Sequence, residues 1–252
     1  MVGLIENLVD PRSTIPTTEE FIDTAVPAIL PSSGTVAANG QITLSTALPI
    51  TYSVGCWLYL PATALASGIS GMYYAVFSST TVGTVYTNYG DPAVGFIPTI
   101  PSGILTPAVG TGVAYTQTTA ADISVMSKLL PGNYLGANGT LRGEYSSILP
   151  NTAANKICKT KLAGNDIRNI TLTSSPSYRD NYVFKCTGSI NNQFMTPGTN
   201  STTPFGTTTS IIPSQYAIDL TTSQWLIMVL RLANAVDYAI LNYVTIDIKR
   251  KG

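Results

Sequence analysis

The chain has no histidine in its 252 residues, and Asp, Glu, Lys and Arg together make up only 10% of it. Histidine is the side chain whose unperturbed pKa lies nearest neutrality, and it serves as general base, proton shuttle and frequent metal ligand. Its absence excludes Ser-His-Asp and Cys-His nucleophiles and His-ligated zinc. Carboxylate pairs remain, and Asp122, Glu144, Asp180 and Asp219 are the candidates in the body of the chain. A glycosidase needs two such groups about 5–10 Å apart in a cleft, and none of the four sits in an acidic run. The expectation is a non-enzymatic protein with no catalytic residue, no metal and no cofactor.

Cysteine is scarce as well. Cys56, Cys158 and Cys186 are widely spaced with no C-x-x-C pair, so metal and redox motifs are absent. They read as small apolar side chains, with a Cys158–Cys186 bridge left open because both lie in strand-like segments. Charge of one sign is missing: 13 basic residues balance 13 acidic ones and the pI is near 6.2, so no bulk attraction to nucleic acid is expected. The most apolar stretch, Trp225 to Val244, is broken by Arg231, Asn234 and Asp237; it is too interrupted for a membrane span and predicts a buried hairpin. Residues Met1 to Asp10 carry Glu6 and Asp10 where a secretory signal has a basic start and a long apolar run. A soluble protein made in a cytoplasm, without membrane insertion, is expected.

Thr, Ser, Gly, Pro and Tyr fill short apolar stretches between turns. Ile42, Leu44 and Leu48 alternate with polar neighbours, as do Val244, Ile246 and Ile248, which marks half-buried strands. Further short strands are expected at 54–60, 71–79, 82–86, 122–126, 140–147, 155–162, 166–173, 181–188 and 225–233. No fixed-period repeat emerges, which argues against a propeller or solenoid. The pattern predicts an all-β, jelly-roll-like β-sandwich over residues 39–252, with Pro- and Gly-rich recognition loops at 91–112 and 194–214. Residues 1–38 read as an anchoring arm and linker. Thr17 and Glu20 have capping-box spacing, which predicts one brief helix over EEFIDTAV, and the prolines and small residues of 27–40 predict an extended linker.

The arm is acidic, and Glu19, Glu20, Phe21 and Asp23 are its candidate anchor; the stretch from Arg142 to Lys185 is basic. In NKICKTKL, Lys159 and Lys161 fall on one side of a strand and Lys156 on the other, a pattern that reads as an edge strand guarded by lysines. Tyrosine is abundant, 14 residues against 6 Phe and 2 Trp. Most serve as ordinary strand residues, while Tyr86, Tyr89 and Tyr115, beside Gly- and Pro-rich turns, are candidates for an interface or receptor rim. Glycosylation sequons stand at Asn138, Asn169 and Asn200 and carry no meaning in a bacterial host.

Three motifs carry a family resemblance: Ser78 to Tyr86 (SSTTVGTVY), Gly136 to Arg142 (GANGTLR) and Asn155 to Gly164 (NKICKTKLAG). With the stretches around them, over most of Val54 to Thr173, they resemble a β-domain of tailed-bacteriophage virion proteins, found in head decoration, fibre or tail appendages. Ala163-Gly164 stands where the family commonly has a double glycine, and Gly143 interrupts the strand after Arg142. The resemblance implies a non-enzymatic virion component, made in the bacterial cytoplasm and placed on the particle exterior. Two settings are expected: a protein that decorates or cements the head through its arm, or a tail-borne knob that binds host surface polysaccharide. Its partners are then other virion proteins, copies of itself in a homotrimer, and in the second setting a cell-surface glycan. Within the motifs, Asn138-Gly139 can take positive φ at both residues, as a tight hairpin or a bulged turn requires, and Arg142 is placed to pair with Glu144 on one face of a strand.

Overall fold

The computed structural model describes residues 18–23, 27–37, 39–64, 70–90, 113–116, 121–174, 176–197, 214–234 and 237–250. Among them the fold is all-β, with one turn of 3-10 helix at Ala62–Ala64 and no helix long and apolar enough to cross a membrane. Two sheets of unequal size, 13 strands and 4, make a sandwich-like fold.

The smaller sheet contains β9 (Ile123–Leu130), β11 (Lys156–Leu162), β12 (Asn165–Leu172) and β16 (Gln224–Leu232), in the order β12-β11-β16-β9. Cys158 and Leu162 of β11 and Leu226, Met228, Leu230 and Leu232 of β16 point inward at alternate positions into the main core. Ala163 and Gly164 close the β11–β12 hairpin as a two-residue turn with φ of 50° and 79°. This is the backbone of a type I′ turn, so Ala163 adopts a left-handed conformation that glycine takes without strain.

In the larger sheet the hub is β17 (Tyr238–Lys249). Along one edge it pairs with β10 (Thr140–Ile148), which leads outward to β13 (Ser177–Cys186), β14 (Gln193–Pro197) and β15 (Ser214–Tyr216). Along its other edge it pairs with β1 (Thr18–Asp23) at Thr245–Lys249 and with β2 (Ala28–Pro31) at Tyr238–Leu241. From β2 the sheet continues through β5 (Cys56–Leu60), β6 (Gly71–Phe77), β7 (Val82–Gly90), β4 (Gln41–Leu44) and β3 (Ser33–Val36) to β8 (Val113–Thr116). Only Ser32 separates β2 from β3, so this path returns to within one residue of its start. The barrel-like closure surrounds a second core that includes Ile29, Ile42, Leu58, Phe77 and Val85.

Several expectations change. The arm segment expected to be helical is strand β1. A capping box is worth about 1 kcal/mol, whereas pairing with β17 satisfies a row of backbone groups that the sheet would leave open. Residues 28–36, read as linker, are β2 and β3 inside the fold, with Ile29 at 0% and Leu30 at 2% exposure. Ala28 and Leu30 face the main core while Ile29 faces the second, so a stretch that looks irregular by composition is buried on both sides.

Trp225 to Val244 is not a hairpin: β16 lies in one sheet and β17 in the other. At the corner between them the buried Asp237 carboxylate accepts hydrogen bonds from the Thr152 hydroxyl at 2.9 and 3.0 Å and lies 3.9 Å from the buried Lys156 ammonium. Lys156 also donates to the Thr152 carbonyl at 2.6 Å. Strand β11 is flanked by β12 and β16, so the lysines do not guard an edge. Lys156 belongs to this internal corner, and Lys159 and Lys161 lie on the opposite, outward face.

The turn before β10 also differs. Positive φ falls on Gly136 (69°) and not on Asn138 or Gly139. Gly139 is needed because a Cβ there would overlap the Leu135 carbonyl, and the Asn138 side chain accepts a hydrogen bond from the Gly188 amide at 3.1 Å. Gly143 is explained by its partner across the ladder, Tyr182, whose ring lies over it in the core.

All three cysteines are free and buried, and burial pushes the thiols of Cys158 and Cys186 up to about 11. The native protein is expected to resist a thiol-specific reagent at mildly alkaline pH and to release three equivalents on unfolding; fast labelling of the native state would contradict this placement. Gly143→Ala forces a methyl group into the Tyr182 ring, with an expected loss of about 1–3 kcal/mol in denaturant unfolding. An unchanged midpoint would show that the ring does not occupy that position.

Candidate functional site

The four candidate carboxylates do not share a cleft: Glu144 and Asp180 lie on the paired strands β10 and β13 but on opposite faces, and Asp122 and Asp219 lie outside both strands. Asp180, on β13, is buried and receives a two-pronged contact from Arg168 of β12, Nε at 2.6 Å and Nη2 at 2.8 Å, which ties the two sheets together. Asp122, just before β9, meets Lys159 at 2.8 Å and Lys161 at 3.2 Å, and the same two lysines reach Asp166 at 3.2 and 3.3 Å. Glu144 accepts from Arg179 at 2.7 Å and from the Tyr243 hydroxyl at 2.8 Å, so its partner is not Arg142. Asp219 accepts from the amide and hydroxyl of Thr221. Each carboxylate is held by its own donors, and no two of the four share one. Among the described residues no group of His, Cys, Asp and Glu is arranged to hold a metal ion.

Electrostatics follow these contacts. Partial burial alone would raise the Asp122 carboxyl, but hydrogen bonds from Lys159 and Lys161, with their charges, outweigh it and hold the group below its ordinary range. The Tyr243 hydroxyl and the Arg179 guanidinium likewise hold Glu144 low. Lys159 is raised, first by its bond to Asp122.

The three rim candidates belong to two strands, β7 and β8. Tyr86 lies on β7 at the end of an aromatic ladder: its ring is 6.0 Å from Tyr74, and Tyr74 stands edge-on to Trp57 at 5.4 Å. The Tyr74 hydroxyl donates to the carbonyl of Val54, which is 90% exposed, and Ile50 nearby in sequence is also exposed. Tyr89 occupies the β7 register position opposite Tyr73, while Tyr115 lies opposite Gly34 on β8, with β4 and β3 between β7 and β8. The anchor candidates are all on β1, where Glu19, Glu20 and Asp23 are in register with Ile248, Asp247 and Thr245, and Phe21 sits at a bulge. Loop 91–112 and sequon Asn200 lie outside the described residues, as does loop 194–214 apart from Phe194–Pro197 of β14 and Ser214. Asn169 is exposed on β12.

Two surfaces escaped the reading of the sequence. On the outward face of the smaller sheet, partly exposed Trp225 and Ile227 of β16 adjoin exposed Leu129 of β9, which is directly across from Trp225, while Val229 on the same side of β16 is covered. The signal of this patch was present in WLIMVLRL, which is apolar at successive and not alternate positions, the mark of a strand to be covered on both faces. On the far side of the sandwich, a depression of about 350 Å³ opens on the outer face of β13, β10 and β17, lined among others by Arg142, Asn181, Thr245 and Asp247. Those four come from three strands distant in sequence; Arg142 ends the Gly136–Arg142 motif, and no motif marks the other three.

No protein-family model matches the chain, and a search of curated protein sequences finds no match.

A carboxyl held low when folded stabilises the protein above the ordinary carboxylate range, and that contribution is lost as pH falls through the depressed value. Stability measured by denaturant unfolding is therefore expected to decline on acidification below the ordinary range, and Asp122→Asn to make the decline shallower. An identical pH dependence in wild type and variant would remove Asp122 as a contributor.

Proposed function

We propose that the protein is a non-enzymatic structural component on the exterior of a bacteriophage particle, where it decorates or cements the head through its N-terminal arm. The observation that carries this reading is an apolar patch on the outward face of the smaller sheet, beside the ion pairs of Lys159 and Lys161 with Asp122 and Asp166. Trp225 and Ile227 are partly exposed and Leu129, paired with Trp225, is 42% exposed, and such patches mark sites of association. In a particle, the neighbour that covers this face is another copy or another virion protein, and a homotrimer covers it by closed symmetry. Engagement of each candidate carboxylate by structural partners supports a scaffold over a catalyst, as does the resemblance of the Ser78–Tyr86, Gly136–Arg142 and Asn155–Gly164 motifs to phage virion proteins. Net charge of zero suits close packing of identical subunits, since like-charged copies would repel.

A second reading, a tail-borne knob that binds host surface polysaccharide, is favoured by the polar depression on the opposite face. Antibody-gold labelling of intact particles separates the two. Gold over the head is expected; gold at the tail would move the assignment to the second reading, and its absence from particles would overturn both. Because β2 belongs to the core, the arm is best tested by deleting residues 1–23. The shortened chain is expected to unfold cooperatively yet fail to join particles, and unchanged incorporation would defeat anchoring by the arm.

A further inference from the structure

We propose that the depression on the outer face of β13, β10 and β17 is a binding site for a neutral oligosaccharide, with Arg142, Asn181, Thr245 and Asp247 as its contact residues. The ladder sets them side by side: Arg142 is directly opposite Asp247 on one edge of β10 and Val183 on the other, and Glu144, two residues on, is opposite Thr245 and Asn181. Successive outward positions of three adjacent strands therefore line one concavity, with the Gly143 backbone as part of its surface. A volume of about 350 Å³ is at the small end of ligand pockets, in keeping with one or two sugar units.

The lining divides into solvated groups and held ones. Arg142, Asn181, Thr245 and Asp247 make no side-chain hydrogen bond or ion pair among the described residues. Arg142 and Asp247 face each other across the ladder without forming a bridge. Glu144, at the edge of the same depression, is locked by Arg179 and by the hydroxyl of half-buried Tyr243. The result is a firm wall beside a set of uncommitted groups: a guanidinium, an amide, a hydroxyl and a carboxylate.

Their chemistry selects the ligand. Adjacent sugar hydroxyls both donate and accept, so they satisfy Asp247 as acceptor, Arg142 as paired donor, and Asn181 and Thr245 as either. Within the lining Arg142 and Asp247 cancel in charge and Glu144 is balanced by Arg179, while Glu20 and Asp23 of β1 stand in register with Asp247 and Thr245 at its margin, so an anionic ligand is disfavoured and a neutral one meets no net charge in the lining. A peptide or apolar ligand finds little to bury, because Val183 is the one aliphatic side chain in the lining.

The inference gives a place and a ligand class to the polysaccharide reading and rests on it for its biological setting. Binding is measured on the purified full chain, so it stands or falls separately from particle labelling. The probes are neutral trisaccharides of glucose, galactose, mannose or N-acetylglucosamine at millimolar concentration, followed by saturation-transfer NMR. At least one is expected to bind, and Arg142→Ala and Asn181→Leu, each on a surface position with unfolding midpoint checked, are expected to weaken it by about tenfold or more. Tyr86→Ala and Lys185→Ala are expected to leave it unchanged. No transfer from any of the four sugars would overturn the proposal. So would binding that persists in Arg142→Ala and Asn181→Leu, or is lost in Tyr86→Ala, which would relocate the site to the aromatic ladder.

Discussion

The architecture depends on one extra residue in the pairing of β17 with β10. Ser146 is opposite Tyr243 and Ser147 opposite Leu241, so Asn242 is left as a bulge. Before it, Ala239 and Leu241 face the main core while Tyr238 and Ile240 face the second. After it, Val244, Ile246 and Ile248 face the main core and Thr245 and Asp247 face outward. In a strict two-residue repeat, side chains three apart point to opposite faces. Without the bulge, the second half of β17 would turn its apolar side chains to solvent. With it, one strand serves as a wall between two cores at one end and as an ordinary sandwich strand at the other, and it receives β1, β2 and β10.

Two buried ion pairs lock the places where the chain must change direction. Asp237 closes the corner from the smaller sheet into β17, held by Thr152 and Lys156 at the entry to β11. The Arg168–Asp180 pair links β12 to β13 across the sandwich. Such pairs are modest in net stabilisation, because withdrawing both charges from water offsets most of their attraction. Removing one partner is another matter: it strands a buried charge and costs about 3–5 kcal/mol. That asymmetry makes them good fasteners for alignment. Any alternative docking of the sheets, or a slip of β11 against its neighbours, would leave Lys156 or Asp180 buried without its partner.

Much of the β character was legible, because turn residues and period-two alternation are local signals and the body strands recur near their expected positions. What failed was what depends on a distant partner. The Thr17–Glu20 spacing describes a helix start accurately as local chemistry, yet pairing with residues 245–249 decides the outcome. Ala28 to Pro31 looks like linker because its strand partners are β17 on one side and β5 on the other, neither of which is near in sequence. The carboxylates were legible as residues but not as partners: Glu144 was matched to Arg142, two positions away, while the contact is made by Arg179 across the ladder. The polar depression was invisible for the same reason, since register alone brings Asn181, Arg142 and Asp247 together. The apolar outward patch of β16 is different, for its run of consecutive apolar residues was on view and was absorbed into an expected hairpin.

The two outward faces of the sandwich differ in how they can recognise anything. A chain with no net charge exerts no overall attraction on a charged partner, so selectivity falls chiefly to contacts at short range. On the side of β16 those contacts are an apolar patch of Trp225, Ile227 and Leu129 beside a cluster of ion pairs, suited to a neighbour presented at fixed geometry. On the side of β10 they are directional hydrogen-bonding groups held on a rigid sheet, suited to a small polar ligand whose hydroxyls must match in position. Weak sites of the latter sort gain effective strength when copies are arrayed. An apolar face that assembles copies and a polar face that each copy displays are therefore complementary: the first supplies the array, and the array lets the second work at the low affinity that a few exposed hydrogen bonds provide.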